Sequence, residues 1–76
     1  MPATRAARPR ISQHEALRRQ RGLLTTQVAR ALGLSHAYVS MVEAGQKAAS
    51  PRYRTAFSGL IGVDEEIVFD ASGWVR

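Results

Sequence analysis

Residues Leu23 to Gly45 read LLTTQVARALGLSHAYVSMVEAG, and the way this stretch is punctuated decides the fold. It divides into two short helices, the first from about Thr25 to Leu32 and the second from about His36 to Ala44. Gly33 stands between them, where a chain leaving a helix often turns through positive φ, a conformation glycine adopts without Cβ strain. Ser35 then falls at the N-cap of the second helix, where its hydroxyl accepts a backbone N–H left without a partner. Gly45 ends that helix as Gly33 ends the first. The apolar positions are Val28, Ala29, Leu32, Leu34, Val39 and Val42. Val28 and Leu32 are i, i+4, and Val39 and Val42 are i, i+3, so each helix has one inward stripe.

A turn this short does not let the two helices lie side by side, so they cross steeply. That is a helix-turn-helix, which can present its second helix to a DNA major groove. The residues Arg18, Gly22-Leu23, Val28-Ala29, Leu32-Gly33-Leu34-Ser35, Tyr38-Val39-Ser40 and Val42-Glu43, with Gly45 following, resemble the lambda-repressor-like (Cro/cI, or XRE) helix-turn-helix family. The resemblance runs from Leu17 to about Phe69. It implies an all-α fold, a compact five-helix lambda-repressor-like bundle that binds operator DNA, usually as a homodimer.

Seventy-six residues suffice for one domain with a small core. The expected organisation is a basic N-terminal arm over 1–10, a helix-turn-helix domain over 11–70 and a short tail over 71–76. Cysteine is absent, so neither a disulfide nor a thiolate metal site is available. The two histidines, His14 and His36, fall on separate helices, and no metal or cofactor is expected. Apolar runs fall far short of the roughly 20 residues that span a bilayer, and the basic N-terminus lacks the apolar stretch of a secretory signal. The expectation is a cytoplasmic, nucleoid-associated protein with no membrane partner.

Net charge is +5 and unevenly placed. Residues 1–54 carry a balance of +8, and residues 55–76 carry −3. One basic region and one acidic end suggest a molecule with one face toward a polyanion. In the arm, Arg5, Arg8 and Arg10 have no inward apolar pattern around them. They are candidates for phosphate or for a narrow minor groove, against a plain solvated tail.

Ser12-Gln13-His14-Glu15 opens the first helix as a capping box, with Ile11 placed to staple against Ala16. Leu17 faces inward. Arg18, Arg19 and Arg21 crowd the last turn, where cations favour the helix dipole, and Gly22 stops it. Some of these arginines are candidates for phosphate, Arg18 among them. The resemblance also implies that Arg18 pairs with Glu43 and fixes the first helix against the third.

The second helix departs from the family at its start, with Leu24 at the usual cap and Thr25 where a phosphate-touching Gln is common. Leu24 cannot cap, and Thr25 is the alternative. Thr25 and Thr26 still offer hydroxyls beside the positive helix end to a phosphate. Arg30 lies on the exposed face, a phosphate candidate or a solvated charge. On the third helix, Ser35, His36, Ala37, Ser40 and Met41 point outward and are the base-contact candidates. The set is unusual, because strong direct readout uses Arg, Lys, Asn or Gln. Modest direct readout is expected, with specificity resting also on shape. Tyr38 is divided between phosphate contact and packing under the next loop.

Lys47 sits in the following loop, well placed for phosphate. Ser50-Pro51 starts the fourth helix, with Ser at the N-cap and Pro at N1. Arg52 and Arg54 flank Tyr53 and are further phosphate candidates; Tyr53, Phe57, Leu60 and Ile61 are read as inward. Gly59 costs that helix about 1 kcal/mol against alanine. Asp64-Glu65-Glu66 opens a fifth helix at Asp64. Trp74 and Val75 dock on their own chain or cross to a partner.

These readings converge on a DNA-binding transcriptional regulator, a repressor or Cro-like switch that places its third helix in the major groove of a double-stranded operator. The alternative is a protein-binding module on the same scaffold, such as an anti-activator, favoured by Leu24, Met41 and Ala44 at positions where the family commonly has polar residues. No spacing sets a nucleophile, a base and an orienting group together, and no phosphate-binding glycine loop occurs, so an enzyme is not expected.

Overall fold

The computed structural model describes residues 11–76. The arm with Arg5, Arg8 and Arg10 lies outside the described residues. Five helices follow in order: α1 Gln13–Gln20, α2 Thr25–Leu32, α3 His36–Glu43, α4 Pro51–Ile61 and α5 Glu65–Val68. Among the described residues no strand forms; a single antiparallel bridge joins Phe69 to Val75. The all-helical, five-helix architecture agrees with the reading of the sequence.

Local chemistry sets the boundaries. Ser12, Ser35 and Ser50 each stand at an N-cap, and their hydroxyls accept from the N–H of Glu15, Tyr38 and Tyr53 respectively. Pro51 occupies the first turn of α4. Between α2 and α3 the chain turns at Gly33 with φ 69°, and the Leu34 N–H reaches back to the Ala29 carbonyl. This is the bond pattern of a helix closed by a left-handed residue. The Leu23, Gln46 and Val63 N–H groups make the equivalent bonds after α1, α3 and α4. Helix α3 stops one residue before the expected end, with Ala44 as its C-cap. Asp64 stands at the N-cap of α5 without a side-chain bond.

The core is built by α2, α3, α4 and the end of α5. Val28, Val39, Val42, Phe57 and Val68 are fully buried, with Ala29, Ala49, Tyr53, Ile61 and Phe69 beside them. Leu17, Leu23, Leu32, Tyr38, Val63 and Val75 close its margins. One apolar expectation fails. Leu60 is exposed because Tyr53, Phe57 and Ile61 already fill the i, i+4, i+8 stripe of α4, and Leu60 falls beside it. Leu34 is exposed because it lies in the turn, off both stripes. Ile11 is also exposed. Around Gly59 no atom lies where a Cβ would go, so this glycine weakens α4 without serving a close neighbour.

Helix α1 has few apolar residues and is held by polar bonds. His14 is fully buried, with its ring stacked on Phe57 at 3.9 Å between centroids and 9° between planes. Its Nδ1 meets Glu43 Oε1 at 2.9 Å, and its Nε2 meets the Tyr53 hydroxyl at 2.8 Å. Arg18 donates from Nε and Nη2 to the two oxygens of Glu43, at 2.8 and 2.9 Å, and from Nη1 to the Leu23 carbonyl. The Ser12 hydroxyl donates to the Glu43 carbonyl. The pairing of Arg18 with Glu43 is therefore present, joined by a histidine and a tyrosine that the sequence reading did not connect to it.

Burial opposes the Glu43 charge, but hydrogen bonds from His14 and Arg18, and their charges, outweigh it and bring its pKa down to about 2. The Glu43 hydrogen bond pushes the Arg18 pKa up against the opposing effect of burial. Burial, reinforced by Glu43, holds the Tyr53 hydroxyl well above its usual range, so it remains protonated and able to donate.

Residues 70–76 return over the bundle. Ala49 donates to the Gly73 carbonyl, Asp70 to Trp74, Arg76 to Val68, and Gln13 to Arg76. Gly73 has φ 95°, and a Cβ there would run into the Ala49 carbonyl oxygen, so only glycine fits. Asp70 Oδ1 accepts from both Ser72 and Trp74 N–H and pins the turn. The tail thus docks on its own chain, while the Trp74 ring stays partly exposed.

Glu43→Ala leaves the Arg18 and His14 side chains buried without their acceptor. The expected loss is on the order of 3–5 kcal/mol, read as a lower urea midpoint at neutral pH. A carboxyl with a depressed pKa adds stability that is complete above its unfolded value near 4.5 and disappears as pH falls toward about 2. Urea unfolding at pH 5, 4, 3 and 2 should therefore show a progressive loss, and Glu43→Gln should flatten that part of the profile.

Candidate nucleic-acid interface

Helices α2 and α3 pack directly on each other through Val28, Ala29, Val39 and Val42. With those four side chains inward, the opposite face of α3 is left to solvent. Ser35, His36, Ala37 and Met41 are exposed on it, and Ser40 is half-buried. The five base-contact candidates therefore extend from the N-cap of α3 into its second half, and none is in the core. Their chemistry is sparse. Ser35 Oγ is occupied by the Tyr38 N–H, and His36 Nε2 lies 2.7 Å from Thr25 Oγ1 and 3.3 Å from Ser40 Oγ. Ala37 and Met41 offer only apolar surface, suited to a thymine methyl.

The phosphate candidates divide into two groups. Arg18 is buried, with its guanidinium committed to Glu43 and the Leu23 carbonyl. It does not face solvent, because a desolvated carboxylate holds it in the bundle. Arg54 is half-buried, and its Nη1 donates to the Ala71 carbonyl of the returning tail. Thr26, Lys47 and Arg52 are exposed, and Thr25 is half-exposed. Arg30 is exposed on α2 as expected. Arg19 pairs with Glu15 one turn earlier at 2.8 Å, and Arg21 Nε donates to the Ile61 carbonyl at the end of α4.

Tyr38 serves the architecture more than the sequence suggested. Its ring meets Tyr53 edge-on at 5.4 Å, and its hydroxyl accepts from the Ser50 N–H at the start of α4. The Lys47 ammonium lies over the same ring, 5.9 Å from its centre. Tyr38 thus ties α3 to α4 and orients the loop that carries Lys47. A shallow groove lined by Leu32, Gly33, Leu34, Tyr38, Ser50, Arg52, Tyr53 and Ala56 runs beside this contact.

The start of α2 corrects one expectation. Leu24, and not Thr25, occupies the N-cap position, and it makes no side-chain cap bond. Gln27 reaches back instead, its Oε1 accepting from the Leu24 N–H at 2.7 Å. This supplies the return half of a capping box and leaves out the half that a Ser or Thr hydroxyl would make. Leu24 itself is 63% exposed, so its side chain neither caps nor packs.

Among the described residues no group of three or more His, Asp or Glu is placed to hold a metal, and no helix is long and apolar enough to cross a membrane. In comparison with known proteins, a helix-turn-helix domain family matches residues 15–68. No curated protein and no solved structure matches the chain.

Leu24→Ser should restore the missing cap at almost no packing cost. The expected gain is about 1 kcal/mol, or a rise of about 4–8 °C in the thermal midpoint of a domain this size, measured by circular dichroism.

Proposed function

Because the chain belongs to the helix-turn-helix domain family, we propose that it is a sequence-specific transcriptional regulator, a repressor or Cro-like switch, that lays α3 in the major groove of a double-stranded operator. The observation that carries this reading is the division of α3. Val39 and Val42 anchor it in the core, and Ser35, His36, Ala37 and Met41 are exposed on the other side, with Ser40 half-buried beside them.

Phosphate contacts come from the groups that remain at the surface. Thr25 and Thr26 sit at the positive end of α2, Lys47 follows α3, and Arg52 opens α4. Arg30 is a further candidate. Tyr38 acts on the backbone through its hold on Lys47. The arm arginines Arg5, Arg8 and Arg10 add charge at the N-terminal side and suit a narrow minor groove. Arg18 with Glu43 supports the bundle and is left out of the contacting set. Arg54 contributes through the tail it holds more than through direct contact.

The readers are short and few. Met41 and Ala37 contribute apolar contact, and Ser40 one hydroxyl, so discrimination between sequences is modest and leans on duplex shape and on the spacing of two half-sites. A homodimer with half-sites one helical turn apart fits that need. The cell's cytoplasm, at the nucleoid, is the corresponding location. The exposed Leu24, Met41 and Trp74 support the second reading, a protein-binding module such as an anti-activator.

Fluorescence anisotropy on duplexes from the DNA upstream of the protein's own gene, against a scrambled duplex and across a salt series, tests the proposal. One duplex should bind with a clear margin. Lys47→Gln and Arg52→Gln should each weaken all duplexes about equally and lower the salt slope by about 0.9. Met41→Ala should shrink the margin and leave the slope unchanged. Equal binding to every duplex would refute sequence-specific regulation.

A further inference from the structure

His36 opens α3 on the exposed face, yet the nitrogen that would reach outward from its ring tip is occupied. Nε2 faces the Thr25 hydroxyl of α2 at 2.7 Å and the Ser40 hydroxyl one turn along α3 at 3.3 Å. A base reader with its acceptor taken by its own protein is a poor base reader. The arrangement has a different use, which follows from counting hydrogens.

A neutral ring placed between two hydroxyls has a consistent arrangement with Nε2 as the acceptor. Thr25, the nearer hydroxyl, then donates to it, and the ring proton sits on Nδ1. Thr25 has one hydroxyl hydrogen, and in this state it points at the ring. When the ring takes up a proton, Nε2 acquires an N–H and becomes a donor to the nearer oxygen, that of Thr25. The Thr25 hydrogen is then released and can turn outward, and the ring carries a positive charge. Histidine is the side chain whose ordinary titration falls between pH 5 and 8.

Among the described residues no acid pairs with that ring. The groups facing the ring nitrogens are the Thr25 hydroxyl from α2 and the Ser40 hydroxyl from α3. Helix α2 contains no acidic residue. The sole acid of α3, Glu43, is turned to Arg18 and His14. Glu15 of α1 pairs with Arg19.

We infer that His36 acts on the nucleic acid through Thr25, as a proton-controlled positioning residue that turns the Thr25 hydroxyl from its own ring toward a phosphate. Without the proton, Thr25 is held by the protein and the start of α2 offers its backbone N–H groups and the Thr26 hydroxyl. With it, one hydroxyl donor and one positive charge are added at the same phosphate. DNA affinity is therefore linked to proton uptake at one residue. The inference rests on the DNA-binding reading above and adds to it the role of this contact.

The test has two arms. In the first, anisotropy on the best-bound duplex is followed from pH 5.5 to 8 at fixed salt. Affinity should fall as pH rises, with a slope approaching one proton per protomer and a total loss of roughly tenfold. The salt slope should be smaller at pH 8 than at pH 5.5 by about 0.9. His36→Gln should abolish the dependence, whereas a contribution from His14 would survive in that variant. Thr25→Val, which keeps the shape and removes the hydroxyl, should weaken low-pH binding more than high-pH binding. Profiles of His36→Gln and wild type that superimpose would overturn the inference and leave the DNA-binding reading standing. In the second arm, nitrogen-15 spectroscopy of the free protein at pH 8 reports the ring tautomer. The proton on Nδ1 supports the arrangement, and the proton on Nε2 overturns it whether or not any duplex binds. Failure to bind every duplex at every pH would overturn the inference together with the reading beneath it.

Discussion

Glu43 is the last residue of the candidate reading helix, and α1 converges on it. Arg18 grips both carboxylate oxygens, His14 shares one of them, and the Ser12 hydroxyl takes the Glu43 carbonyl. His14 then passes the connection to Tyr53 in α4, which packs edge-on against Tyr38 in α3. The circuit leaves α3 and returns to it. Its members are desolvated, so each depends on its partners: a buried charge loses far more by standing alone than it gains by pairing. This ties the placement of α3 to α1 and α4 more strictly than valine packing alone, because apolar contacts tolerate sliding and a two-pronged guanidinium–carboxylate pair does not.

Much of this was legible in the sequence, for identifiable reasons. Ser12, Ser35 and Ser50 sit immediately before their helices, and Gly22, Gly33, Gly45 and Gly62 just after them. Capping is local chemistry, so local sequence reports it. Val28, Val39, Val42, Tyr53 and Phe57 follow helical spacing, which is also local. His14 escaped because its partners lie far along the chain, Glu43 and Tyr53 both beyond any local window. One signal pointed to it. Helix α1 has only Ala16 and Leu17 as apolar residues, too few to hold a helix by burial, and His14 and Arg18 are i, i+4 on one stripe. A polar stripe on a helix that must be buried calls for polar partners. Leu60 was misread for the opposite reason: it is apolar, but the face it would join was already complete.

The α2–α3 unit shows the same division between scaffold and surface. Its inner face is plain valine and alanine, and the helix ends are closed by serine and glycine. The exposed side carries the departures: Leu24 without a cap, Met41 without a polar group, His36 tied to Thr25. None of these harms the bundle much, because none sits among the core residues. Sequence reasoning located the surface and could not say how its groups engage one another, since hydroxyl and imidazole bonds across two helices leave no periodic trace.

The returning tail has a consequence for how the protein is made. The bonds from Ala49 to Gly73 and from Gln13 to Arg76 bring together segments that leave the ribosome at different times. Helices α2 and α3 meet over a short loop and can associate early. The first turn of α1 waits for residues synthesised more than sixty positions later. Contacts between distant segments form slowly because loop closure must come first. Before residues 70–76 are in place, α1 would be held by its contacts with Glu43, Tyr53 and Phe57, and the seam between α1 and the tail would be the last to close and the first to open.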